Sequence, residues 1–168
     1  MAATYETARQ VLHAHGYHQY EISNFALPGC ASQHNRKYWR LEPYIGLGAG
    51  AHSYDGERRW ANASVAEDYT AKLARGDSPI DEFCRLTPDQ QIEEFFFLGL
   101  RQTEGVRVGE ATGRWGSAAL ERFETVIGDL IARGLLREAD DRVFLTDCAL
   151  LVSNEVFQEF LAVKSEAT

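Results

Sequence analysis

A chain of 168 residues, 45% hydrophobic and 25% charged, has enough apolar material for one ordinary core or two small ones and reads as a folded, soluble protein. Its formal net charge of -8 argues against a nonspecific nucleic-acid or anionic-membrane surface, because phosphate binding needs clustered Lys and Arg. The imbalance lies in the second half: 8 basic and 8 acidic residues up to Ile80 contrast with 9 basic and 17 acidic beyond it.

No apolar run approaches the length of a transmembrane segment. Cys30, Cys84 and Cys148, 54 and 64 residues apart, fit neither a zinc knuckle nor a redox pair, and read as buried free thiols. Their odd number without a signal peptide favours a reducing, cytoplasmic setting.

Residues 4–15 place Tyr5, Ala8, Leu12 and His15 at helical spacing, with Gly16 at a left-handed cap. Residues 17–22 are rich in aromatic and β-branched side chains and read as a strand. One helix and strand cannot bury both strand faces, so this opening reads as the tail of a larger α/β domain. Leu27-Pro28-Gly29 breaks the pattern, and the segment up to Ser53 reads as a long structured loop. Ser64-Val65-Ala66-Glu67 resembles a capping box opening a helix that runs through Tyr69 and Leu73 to Gly76.

Beyond a boundary near residue 80 the signals sharpen. Thr87-Pro88-Asp89-Gln90 predicts a helix carrying Ile92, Phe95, Phe96 and Leu100. Leu120, Phe123, Ile127, Leu130 and Ile131 predict another, stopped by Gly134. Residues 135–137 and 143–145 read as a hairpin turning at Asp140-Asp141. A closing helix over 148–161 offers Leu151, Val156, Phe157 and Phe160. Helices before a small hairpin resemble a winged-helix arrangement, although Glu121, Glu124 and Asp129 on the third helix fit no DNA reader.

Chemistry concentrates in residues 20–53. His34, Asn35, Tyr38 and Trp39 bring imidazole, amide, phenol and indole into six residues, with Arg36 and Lys37 between them. An accessible imidazole can ligate iron, zinc or copper, the aromatics can wall a flat ligand, and the cations can pair with carboxylates. The set suits a large planar acidic ligand such as a porphyrin. Equally, the aromatics can pin a long loop to the core. Gly46, Gly48 and Gly50 do not form a dinucleotide fingerprint and read as a tight turn, with His52 beside it as a pocket imidazole or a turn residue. Glu21 lies at the end of the predicted strand, where α/β folds place ligands, and can equally be a solvated or capped residue. Ser23 and Asn24 either reach a cofactor or terminate the strand. His13, His15 and His18 are expected on helix and strand surfaces.

Tyr20-Glu21-Ile22-Ser23-Asn24-Phe25-Ala26, then His34-Asn35-x-x-Tyr38-Trp39, then Ile45-Gly46-Leu47-Gly48-Ala49-Gly50-Ala51-His52-Ser53 together resemble the radical SAM proteins related to oxygen-independent coproporphyrinogen III oxidase, on the heme-chaperone branch called HemW. The resemblance covers nearly the whole chain but only the latter part of the family's length. It implies an α/β remnant of a partial (β/α) barrel over residues 1–80, followed by a mainly α, winged-helix-like C-terminal domain over 81–168. It makes His34 the heme-contacting residue and iron ligand, with Asn35, Tyr38 and Trp39 around the heme. Ser23, Asn24 and Phe25 match the last barrel strand facing S-adenosylmethionine, and Gly46, Gly48 and His52 match a loop closing that pocket.

The family's [4Fe-4S] cluster is held by C-x-x-x-C-x-x-C, which the three cysteines cannot reproduce. A chain without those ligands is expected not to cleave S-adenosylmethionine by itself, and it reads as a C-terminal fragment. The expected partners are heme and a heme-requiring client protein, with a homodimer left open and no nucleic acid. An oxidase-type radical enzyme of porphyrin biosynthesis is the alternative, and a cofactor-free winged-helix interaction module a third.

Overall fold

A computed structural model describes residues 2–161. In chain order the elements are α1 (Ala2–Ala14), β1 (His18–Gln19), β2 (Phe25–Ala26), α2 (Gln33–Trp39), β3 (His52–Tyr54), β4 (Arg58–Asn62), α3 (Ala66–Arg75), β5 (Ile80–Arg85) and α4 (Pro88–Gly99). There follow β6 (Val106–Arg107), α5 (Val108–Trp115), α6 (Ser117–Ala132), β7 (Leu136–Ala139), β8 (Arg142–Leu145), a 3-10 turn at Ala149–Val152 and α7 (Ser153–Leu161). Helices and sheets are mixed, and every strand pair is antiparallel among the described residues.

Two compact units result: Met1–Arg40 with Ile92–Thr168, and Leu41–Gln91. The units divide at residues 40 and 91, so the first unit is built from both ends of the chain. Its core is aromatic. Phe96 lies flat against Phe123 (5.5 Å between centroids, 28°) and Phe160 (5.0 Å, 16°), and all three are buried. Leu100, Leu120, Leu130, Val143, Val156 and Phe157 complete it. In the three-stranded sheet β6-β8-β7, residues Asp140 and Asp141 turn the hairpin with φ of 51° and 61°. That backbone is the tight hairpin form, and aspartate tolerates it better than most residues. The predicted turn and helices here are present.

The second unit is the sheet β3-β4-β5 with α3. Tyr54, Ala61 and Ala63 are buried in it, whereas all six residues of β5 are exposed. α4 opens on the expected reciprocal cap: the Thr87 amide donates to Gln90 Oε1 (2.9 Å) and the Gln90 amide to Thr87 Oγ1 (3.2 Å).

Several expectations are corrected. The strand over 17–22 shrinks to His18–Gln19, paired with Phe25–Ala26, because the chain turns at Glu21-Ile22-Ser23-Asn24 under the pull of one carboxylate. The loop before Ser53 contains α2, whose N-cap Ser32 accepts a hydrogen bond from the Asn35 amide. The capping box at Ser64 does not form: α3 starts one residue later, with Val65 at the N-cap and no side-chain cap. Gly76 does close α3 in the left-handed conformation, φ 77°. Leu151 is exposed rather than part of a helix face. Cys30, Cys84 and Cys148 are all exposed and free, because each lies in a loop or on an edge strand rather than in a core. The strands β4, β5 and β6 and the helix α5 had no distinct sequence signal.

Candidate functional site

The site begins at α2. Ser32 Oγ takes the Asn35 amide (3.2 Å), which fixes the first turn. Four residues apart, His34 and Tyr38 share one helix face, and their rings meet edge to face at 4.9 Å and 84°. His34 is exposed and Tyr38 half-buried. Arg36 and Arg40 sit two positions further on, about 200° around the helix and therefore on the opposite face. Both reach Glu104: Arg36 Nη2 pairs with Glu104 Oε1, and Arg40 Nη2 donates to the same oxygen at 2.9 Å. Arg36, expected to meet a ligand carboxylate, is thus engaged within the protein.

Trp39 is held from two sides. The Tyr20 ring lies 6.1 Å away at 45°, and the Arg101 guanidinium lies 5.9 Å from the indole. Arg101 also donates to Glu21 Oε2 (3.3 Å). Glu21 is fully buried, and its other oxygen accepts from the Ser23 amide (2.6 Å) and the Asn24 side chain (2.7 Å). Ser23 is exposed, Phe25 half-buried in β2, and the Asn24 amide is committed to Glu21. The candidate heme residues His34, Asn35, Tyr38 and Trp39, together with Ser23, Asn24 and Phe25, therefore lie in one unit.

Gly46, Gly48 and His52 lie in the other unit. The Gly46 amide donates to Ser53 Oγ (3.0 Å), and the buried Asn62 donates through Nδ2 to the carbonyls of Gly46 (3.4 Å) and Gly48 (3.0 Å). A Cβ on Gly46 would stand 2.2 Å from the His52 carbonyl oxygen, a backbone atom that cannot swing aside. The glycines let this loop lie on its own sheet while Ile45 and Leu47 project outward, 76% and 87% exposed. His52 is an exposed residue of β3, paired opposite Ala61.

Sequence reasoning missed Arg101, Gln102, Glu104 and Asn62. Arg101 and Glu104 act over separations of 64 to 80 residues, which no local pattern reports. Ser32, three residues before Asn35, was a readable N-cap signal.

Burial disfavours the Glu104 charge, but hydrogen bonds from Arg40 and Arg36 outweigh it and hold the carboxyl below its usual value of 4.5. A carboxyl depressed in the folded state adds stability above its unfolded pKa and loses it as pH falls through the folded one. Glu104→Gln should therefore be less stable than the parent at pH 7, and the gap should close below about pH 4.5 in urea melts.

The exposed imidazole of His34 is of a residue type that could ligate a heme iron. Among the described residues no three His, Cys, Asp or Glu stand together as a metal site. No helix of the described residues is long and apolar enough to cross a membrane.

Residues 86–152 match the family described as the HemN C-terminal domain. The heme chaperone HemW of Bacillus subtilis is 41% identical over 160 residues, which cover 95% of this chain and 42% of that protein. The heme chaperone HemW of Lactococcus lactis is 38% identical with the same coverage, 95% and 42%. Among solved structures, coproporphyrinogen III oxidase (HemN) of Escherichia coli, a radical SAM enzyme, superposes with a TM-score of 0.71 at 16% identity, over 92% of this chain and 39% of that one. The chain thus spans about two-fifths of the length of these relatives. The chain is similar to the HemW heme chaperones over part of their length, and its residues 86–152 match the HemN C-terminal domain family.

Proposed function

We propose that this chain is the C-terminal portion of a radical SAM family heme chaperone and that His34 is its heme-iron ligand. The observation that carries the reading is the exposed His34, its ring edge to face with the half-buried Tyr38 on one side of α2, set opposite the arginines that brace the helix. Kinship with HemW over 95% of the chain supports it. Bound heme would bring an iron that the His34 imidazole would ligate, with Tyr38 supporting the ring and Asn35 and Trp39 holding the helix that carries them.

The finer fold reading is a barrel remnant over residues 1–80 and a winged-helix-like domain beyond, supported by helices packed with the sheet β6-β8-β7. Ser23, Asn24, Phe25, Gly46, Gly48 and His52 are proposed to border the S-adenosylmethionine pocket of the intact protein. A cytoplasmic location and delivery to a heme-requiring client follow from the same kinship. A homodimer has a ready surface in the open edge of β5, which pairs only with β4 among the described strands. The oxidase alternative rests on the match of residues 86–152 to the HemN C-terminal domain and on a likeness of fold.

Titration of heme under reducing and oxidising conditions tests the reading. The parent protein should develop a Soret shift at equimolar heme, and His34→Ala should bind about 100-fold more weakly or worse, beyond the loss typical of an outer-shell change. Identical titrations for the two proteins would refute the assignment.

A further inference from the structure

Residues 101–104 join the end of α4 to β6 and lie inside the region matching the HemN C-terminal domain. This short segment is stitched to the motif-bearing end of the chain at every residue. The Ile22 amide donates to the Arg101 carbonyl (3.1 Å), and the Thr103 amide to the Tyr20 carbonyl (3.2 Å). Gln102 bridges Glu21, and Thr103 Oγ1 donates to the Gln19 carbonyl (3.3 Å). The side chains then reach α2: Arg101 lies over Trp39, and Glu104 takes both Arg36 and Arg40. None of these contacts touches His34 or Tyr38, which occupy the other face.

We propose that residues 101–104 form a strap by which the C-terminal domain positions the heme-ligating helix, with Glu104 and Arg101 as positioning residues. The proposal rests on the heme reading for its functional meaning, and on the packing of α2 for its physical content. A seven-residue helix is too short to hold its own shape in water, so its orientation comes from tertiary contacts. The two contacts are complementary: Arg101 fixes the C-terminal residue Trp39 through its ring, and Glu104 fixes the arginine face one turn apart. The domain named for its place at the C-terminus of HemN would then act as part of the ligand site, not as an appendage.

The experiment compares the parent, Glu104→Gln, Arg40→Gln, and a charge exchange in which Glu104→Arg is made alone and together with Arg36→Glu and Arg40→Glu. Two readouts are taken on each: amide hydrogen exchange of residues 36–40 without heme, and heme affinity by Soret titration. Glu104→Gln should speed exchange in 36–40 by about tenfold while amides of α6 keep their protection, and should weaken heme binding by about tenfold. The charge exchange should restore both readouts relative to Glu104→Arg alone, which a merely destabilising lesion would not do. Unchanged exchange in both Glu104→Gln and Arg40→Gln would overturn the strap. If the parent takes no heme, the heme reading fails, and the exchange data still decide whether residues 101–104 position α2. If the parent binds through His34 but the Glu104 variants match it, the strap has no functional role and the proposal is wrong.

Discussion

Phe96→Ala is expected to destabilise the first unit by about 3–5 kcal/mol, the usual loss when a large buried aromatic is truncated. Phe96 is 1% exposed and stands between two rings, Phe123 at 5.5 Å and Phe160 at 5.0 Å, with Phe95 edge-on at 5.4 Å. Truncation removes the shared partner of three aromatics from three helices, and the flanking rings cannot close the gap without moving α6 and α7 together. Denaturant unfolding should show a lower midpoint with an unchanged slope. A loss below about 1 kcal/mol would mean that the helices repack freely and that the stacked core is not what orders them.

Glu21→Ala should be the next most damaging single change, at about 3 kcal/mol, because one partner of a buried ion pair disappears and leaves three donors unanswered. The carboxylate is inaccessible to solvent and gathers the Ser23 amide, the Asn24 side chain and Arg101. Arg101 keeps some contact with water, its side chain being 27% exposed, which places the loss at the lower end of the range for such pairs. Without Glu21 the turn over residues 21–24 loses its organiser, and Arg101 loses the anchor that holds it over Trp39. Glu21→Gln, which keeps an acceptor and the volume, should cost less than Glu21→Ala in the same urea melt. Equal losses would show that shape, not charge, fixes the turn.

The later part of the chain was more legible than the earlier part, and the reason is physical. The Thr87–Gln90 cap, the Phe and Leu spacing of α4 and α6, and the Asp140-Asp141 turn are local signals, each closed by bonds or packing within a few residues. The short helix α2 was missed because its apolar periodicity is slight and its stability comes from Glu104 and Arg101, far away in sequence. The strands β4 and β5 escaped for a different reason. In β5 all six residues are exposed, so no inward and outward alternation is written into Ile80-Asp81-Glu82-Phe83-Cys84-Arg85. The cysteines were misplaced because burial statistics for thiols describe cores, and these three occupy loops and an edge strand.

At the candidate site the sequence pointed to the residue types and to their family, and their arrangement came only with the fold. His34 and Tyr38 were legible as a motif; that they face away from Arg36 and Arg40 follows from the helix. Glu21 was weighed as a ligand-site residue or as a capped or solvated one; it is not solvated, and its buried carboxylate anchors Ser23, Asn24 and Arg101. Gly46 and Gly48 were read as a tight turn, and the buried Asn62 that ties their carbonyls lies 14 to 16 residues away.

The most direct test of the central claim is chemical rescue at the iron. Heme is added to His34→Ala with and without millimolar imidazole, and the absorption and magnetic circular dichroism spectra are compared with those of the parent complex. If His34 is the axial ligand, the variant alone lacks the parent's spectrum and free imidazole restores it. A variant that reproduces the parent's spectrum without imidazole would contradict the account.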